Sequence, residues 1–402
     1  MLHQNKPKSC RDVPALSGVN FYSTMNPVLW CAMTAFELER NLPQIFERSA
    51  GYVLMTAGFF VLPMLFNTGF ASYLMARFPC RNILSCSKVA EVFTALMMLA
   101  LYPLVPAAGR LLLLATTTML LGLEYAMYRP ALRVFMASTL PKSQLSNAVG
   151  KVQGASLLGA ASGVVLASCG LIFKINPLWS WLFFTLCSIR GLVLVTRIHT
   201  ADALKPRARF ALLRRFRQVK WDNQNLRQEL RISAWGETYV MALLIFIISL
   251  TAQYANDYMP FGTNTRHGLM ALFLLLVAPL LGGASGCFIA GKISRDRVEL
   301  GLIPGFGLLC IILLAGLGFM TSWRGGVYEY ILLALGLYFF GITLGALMVP
   351  FHSFQGFFVR RDMSPIFFVS FYRKFGTGVL IGIVVTGVSY YYKQPVATAA
   401  YA

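Results

Sequence analysis

RIHTADALKPRARFALLRRFRQVKWDNQNLRQELR, residues 197–231, is the stretch that decides how this chain folds. It holds Arg197, Lys205, Arg207, Arg209, Arg214, Arg215, Arg217, Lys220, Arg227 and Arg231 against Asp202, Asp222 and Glu229, near the middle of a 402-residue chain. The sequence on both sides is strongly apolar. Lys and Arg are retained in the cytoplasmic loops of helical membrane proteins, where acids have little influence. A bilayer as solvent, this loop inside, and two sets of helices joined by a cytoplasmic linker are therefore expected. Within the loop, Phe210, Leu213, Phe216 and Val219, then Leu226 and Leu230, recur at helical spacing, with Trp221 nearby. That is the pattern of an amphipathic helix in the inner headgroup layer; a plainly solvated basic linker is the alternative.

The totals agree with a membrane. The chain is 57% hydrophobic and 12% charged, whereas soluble domains average about 25% charged. Its net charge of +20 follows from basic loops unmatched by acids, so nucleic acid is not expected as a partner. The eight cysteines and four histidines show no metal-ligand spacing, and most cysteines lie in apolar runs, where Cys behaves as a small hydrophobe. No P-loop, H-E-x-x-H or G-x-S-x-G occurs, so neither an enzyme nor a cofactor is expected. Lys6, Lys8 and Arg11 precede the first apolar segment without a cleavage site, which is expected to be retained.

Spanning a hydrocarbon core takes about 20 residues of helix, and helices satisfy the backbone where lipid cannot. That ruler gives spans at 20–37, 51–75, 83–106, 110–128, 147–172 and 177–196, then 235–259, 268–291, 300–321, 327–349 and 366–392. The first is the weakest, broken by Asn20, Asn26 and Pro27. With the N-terminus inside, the inner loops carry Arg77/Arg81, Arg129/Arg133/Lys142, the linker, Lys292/Arg295/Arg297 and Arg360/Arg361. The outer gaps are poorer in positive charge, as the inside rule requires. The expected organisation is a six-helix bundle over 1–196, a basic linker over 197–233 and a five-helix bundle over 234–402. The C-terminus then lies outside; twelve spans would need one more than the eleven counted.

Ionisable residues inside spans are expensive in lipid and face a bundle interior or water. Lys88 and Glu91, three apart, read as an ion pair within one helix. Glu124, followed by Arg129 and Arg133, reads either as cavity lining or as an interfacial cluster reaching for water. Arg190 lies about two turns from the inner surface. Lys151 with Gln153 opens the fifth span and Arg373/Lys374 the eleventh, corresponding places in the two halves. A substrate site between repeated bundles is expected there, and a cation pair suits a phosphate or carboxylate. Gly150/Gly154, Gly159/Gly163, Gly282/Gly286, Gly341/Gly345 and Gly378/Gly382 have the spacing of close helix packing, which in a transporter also lets bundles rock.

Two inner loops resemble the conserved loop of major facilitator transporters: Gly69-Phe-Ala-Ser-Tyr-Leu-Met-Ala-Arg77, and Gly286-Cys-Phe-Ile-Ala-Gly-Lys292-Ile-Ser-Arg295-Asp-Arg297. The first has Ser72 or Tyr73 where an acid is usual. Within that superfamily, Tyr128-Arg-Pro-Ala131, Asn147, Gly236-Glu-Thr238 and Val349-Pro-Phe-His-Ser-Phe-Gln355 resemble bacterial lysophospholipid transporters, which also occur fused to acyltransferase and acyl-carrier-protein synthetase domains. The family's first-span Asp-Asn pair and its fourth-span Lys are replaced here by Met25-Asn26-Pro27-Val28 and Leu132, and acids opening the fifth and eleventh spans fall at Lys151 and near Lys374. The resemblance implies secondary transport by alternating access, with lysophospholipid crossing a bacterial inner membrane. With the ionisable residues inside spans, it gives Glu124, Arg129, Arg133, Lys151, Gln153, Arg190, Gln355, Arg373 and Lys374 as candidate substrate contacts. It implies membrane lipid as partner, an acyltransferase as a further one, and a monomer. The basic replacements favour an anionic ligand, so a soluble organic anion or drug is the second expectation, and a non-transporting scaffold for an acyltransferase the third.

Overall fold

The computed structural model describes residues 12–41, 49–173, 175–199, 224–258, 266–294, 297–320, 327–359 and 364–391. Among these are twelve helices: α1 (Val13–Asn41), α2 (Ser49–Phe66), α3 (Thr68–Arg77), α4 (Cys80–Leu101), α5 (Ala107–Thr139), α6 (Lys142–Ile172), α7 (Pro177–Thr196), α8 (Gln224–Tyr258), α9 (Arg266–Ser294), α10 (Leu302–Met320), α11 (Val327–Phe358) and α12 (Ser364–Tyr391). Nine of them are long and apolar enough to cross a membrane, and α2 with α3 makes a tenth, bent by 60°. Pro63 removes one intrahelical donor just before that bend. Helix α1 fails the same hydropathy criterion because it buries Asn20, Asn26 and Glu37. Each has a partner: Asn20 Nδ2 donates to the Val152 carbonyl at 2.7 Å, Asn26 to Glu91, and Glu37 accepts from the Tyr102 hydroxyl at 2.6 Å. By length and composition, nine helices, or ten with the bent pair, stand among the described residues against the eleven spans read from sequence.

Three of the expected boundaries fall well short of the helix. Hydropathy ends the fourth and tenth spans at 128 and 349 and starts the seventh at 235, yet α5 runs to Thr139, α11 to Phe358, and α8 begins at Gln224. Residues 224–233, expected in the linker, are thus the opening turns of α8, with Leu230 and Ser233 buried. An apolarity ruler stops where charged or polar residues begin, at Arg129 in α5 and at Pro350, His352 and Gln355 in α11. The helix continues because its backbone bonds are internal and its charged side chains find partners across the bundle. The rest of the expected amphipathic segment, with Trp221, lies outside the described residues. So do Arg295, Arg360, Arg361 and the residues after Tyr391.

Before the linker, α1 packs on α6, α7 and α2, while α4 packs on α5 and α7; after it, α9 packs on α11, α8 on α12, and α10 on α11. The halves meet through two seams, α6 against α9 and α12 against α2 and α3. In the first seam a Cβ on Gly150 would sit 2.7 Å from the Cys287 carbonyl oxygen and 2.8 Å from the Gly291 Cα. Only glycine allows that backbone approach. Further contacts cross between halves at the linker end: Ser146 Oγ donates to the Arg297 carbonyl at 3.0 Å, and Lys142 Nζ lies 4.5 Å from the Phe357 ring centroid.

Candidate functional site

The extended ends of α5, α8 and α11 carry a buried polar network that joins the halves. Arg133 on α5 makes a two-pronged ion pair with Glu237 on α8: Nη1 donates to Oε2 at 3.0 Å and Nη2 to Oε1. Arg133 Nη1 also donates to Gln355 Oε1 on α11 at 3.2 Å. Gln355 Nε2 in turn donates to Glu237 Oε2 at 3.1 Å and to Ser233 Oγ at 3.3 Å. The guanidinium lies 4.3 Å from the Phe371 ring centroid and 4.9 Å from that of Tyr372, both on α12. His352 Nδ1 bonds Gln153 Nε2 of α6 at 2.7 Å and lies 4.0 Å from Glu237 Oε1. Helical spacing assembles this set, since Ser233 and Glu237 are four apart and His352 and Gln355 three apart, each pair on one face. Pro130 and Pro350 interrupt α5 and α11 beside it.

One turn from Arg133, Arg129 is 7% exposed. Its Nη2 donates to Ser156 Oγ at 2.6 Å and Thr24 Oγ1 at 2.8 Å, and the guanidinium lies 4.8 Å from the Tyr125 ring centroid. No carboxylate pairs with it among the described residues, and its Nε has no partner. Arg133 is neutralised by Glu237; Arg129 is held only by hydroxyls and a ring face.

A second charged cluster lies inside the first half. Lys88 pairs with Glu91 on α4, as the three-residue spacing implied. Glu91 Oε1 also accepts from Asn26 on α1 and, at 3.1 Å, from Ser188 on α7. Glu124 on α5 accepts from Thr94 Oγ1 at 2.8 Å through Oε1, and its Oε2 has no partner.

The sequence pattern described as Major Facilitator Superfamily matches residues 16–387. The chain belongs to the major facilitator superfamily. Solved transporter structures with this fold include the human organic anion transporter MFSD10 (TETRAN), at TM-score 0.72 and 13% identity, covering 98% of this chain and 97% of that one. The Escherichia coli fucose:proton symporter FucP follows at 0.69 and 16% identity, covering 98% of this chain and 95% of that one. A bacterial homologue of the iron transporter ferroportin, in an outward-facing state, stands at 0.66 and 13%, with 97% of each chain covered. At such identities these likenesses show the fold alone. No curated protein matches the sequence.

Within this superfamily fold, the sequence-expected substrate contacts divide. Arg133, Gln153 and Gln355 join the network between the halves, to which Gly236-Glu-Thr238 and Val349–Gln355 supply Glu237, His352 and Gln355, while Arg129 lies one turn from Arg133 with partners in its own half. Glu124 is buried in the middle of α5, fifteen positions before Thr139 or about 22 Å along the axis, so it is not an interfacial group reaching for water. Lys151 and Arg190 are exposed. At about 100° per residue, Lys151 points roughly 160° away from Gln153, out of the network. Arg373 is exposed, and Lys374 turns 5.2 Å onto the Trp235 ring. None of Lys151, Arg373 and Lys374 joins the buried network between the halves. Of the conformational-loop residues, Arg77 donates to the Tyr73 hydroxyl at 2.5 Å, in place of the usual acid. Gly69 accepts from Ser72, Gly286 packs against the Ile342 carbonyl of α11, and Lys292 is exposed. Sequence reasoning passed over Glu237, His352, Ser233, Tyr372, Thr24 and Ser156 as site residues. The signal was available in Glu237, an acid just after the most basic loop and inside a span, where it needs a cation.

Proposed function

We propose that the protein is a secondary transporter working by alternating access, and that its substrate is an organic anion held by Arg129. The carrying observation is the buried guanidinium of Arg129, one helical turn from the clasp, with hydroxyl and aromatic neighbours from its own half and no paired carboxylate among the described residues. The helices before the linker, α1 to α7, and those after it, α8 to α12, act as the two moving bodies, and the Arg133–Glu237–Gln355 clasp holds them together at the linker end. With the basic linker cytoplasmic, as charge retention requires, this is a state closed to the cytoplasm, in a multi-pass protein of a bacterial inner membrane. The neighbour named as an organic anion transporter is consistent with the reading.

Lysophospholipid is the second reading. What favours it is that the three stretches resembling lysophospholipid transporters supply Arg129 and, in the clasp, Glu237 and Gln355, and a phosphate headgroup would find the same guanidinium. The test is thermal unfolding of the purified protein against a panel of mono- and dicarboxylates, phosphate esters and lysophosphatidylglycerol, for wild type and Arg129→Gln. The proposal expects an anion that stabilises wild type and not the variant; stabilisation by lysophosphatidylglycerol alone selects the lipid. A panel in which no anion stabilises wild type, or in which Arg129→Gln responds equally, overturns the assignment.

A further inference from the structure

Between α1, α4 and α5, with the Tyr125 ring between it and Arg129, lies a cavity of about 10 Å³ whose polar lining is Ser23, Ser87, Lys88, Glu91, Glu124, Tyr125 and Tyr128. That is room for about one water. Three polar atoms on this lining have no partner among the described residues: Glu124 Oε2, Ser87 Oγ and Tyr128 Oη. Their residues are 8%, 3% and 2% exposed. The charges do not balance. Lys88 and Glu91 cancel as an ion pair, which leaves Glu124 as one uncompensated carboxylate. The ionisable groups facing it are Glu91 and Lys88 from α4 and Tyr125 and Tyr128 from its own helix, while α1 contributes Ser23 and Pro27. Arg129 lies five residues on, about 140° around α5, and is directed to Thr24 and Ser156.

An unpaired carboxylate in a span is costly and acquires a compensating positive charge. A hydrated ion does not fit a one-water cavity, and a bare sodium ion would sit against the Lys88 ammonium. We propose that this cavity is a proton-binding site, with Glu124 carrying the proton and one water linking it to the Ser87 and Tyr128 hydroxyls. The proton comes from bulk water and binds Glu124 Oε2; no other bond changes. Thr94 continues to donate to Oε1. The assignment is independent of what Arg129 binds.

The test is infrared spectroscopy of the full chain in lipid nanodiscs at neutral pH, following the carboxylic-acid carbonyl stretch and its shift in heavy water. Wild type is expected to show a protonated-carboxyl band that Glu124→Gln loses. Thr94→Val keeps the carboxyl but removes its hydrogen bond, so it is expected to shift the band, which assigns it to Glu124 even where Glu124→Gln does not fold. The band is expected to be the same in sodium and potassium buffers. No band in wild type, a band that survives Glu124→Gln, or one that disappears when sodium replaces potassium overturns the proposal.

Discussion

Replacing Arg133 by Gln removes the cation from a clasp whose acid cannot reach water. Glu237 is 0% exposed. It would lose both guanidinium donors and keep Gln355 Nε2 at 3.1 Å. Removing one partner of a buried pair costs about 3–5 kcal/mol, because the other charge is left buried and alone. At about 1.4 kcal/mol per decade, that is roughly two to three and a half orders of magnitude against the state closed at the linker end. Opening that end hydrates Glu237, so the energy should appear as a population shift rather than only as unfolding. Spin labels at Arg77 on α3 and Lys292 on α9, both exposed, report the separation of the halves in a background with the eight cysteines replaced. Pulsed electron resonance should give one dominant distance with Arg133 present and a longer, majority population in Arg133→Gln. The double variant Arg133→Gln/Glu237→Gln should recover thermal stability and stay open, since it removes the stranded charge but not the loss of the clasp. An unchanged distance in Arg133→Gln, whatever its stability, would refute the gating role.

Other outcomes follow from the same geometry. Gly150→Val drives a side chain into the Cys287 carbonyl and Gly291 and should separate α6 from α9, seen as a lower melting temperature and a longer label distance at the linker end. Lys151→Gln and Arg373→Gln, both exposed, should change stability by less than about 0.5 kcal/mol and leave anion-induced stabilisation as in wild type. Lys88→Met strands Glu91 and should cost about 3–5 kcal/mol by denaturant titration, whereas Lys88→Met/Glu91→Met should recover most of it.

The helices were legible because lipid leaves the backbone few choices. Span ends were misread where Arg129 and Arg133 on α5 and Ser233 and Gln355 on α8 and α11 made helices look polar, and much of the site lies on those ends. Hydropathy scores a residue by what it is, whereas burial depends on what meets it. Arg133 and Glu237, 104 positions apart, cancel only in three dimensions. Lys151 shows the opposite error. It occupies the position along α6 where a repeated bundle places its ligand, but helical phase turns it outward while Gln153, two residues on, turns in. The first span looked weak for the same reason that α1 is useful, since Asn20, Asn26 and Thr24 are the groups that tie it to α6, α4 and Arg129.

Flux tests the account most directly. With the purified chain in proteoliposomes, uptake of a labelled anion that stabilises the wild type in the binding panel should be driven by its own gradient, saturate, and exchange with unlabelled anion on the far side. Arg129→Gln, folded and inserted to the same extent, should abolish it. Equal uptake by Arg129→Gln, or wild-type proteoliposomes no different from empty ones, would contradict a transporter that binds its substrate at this guanidinium.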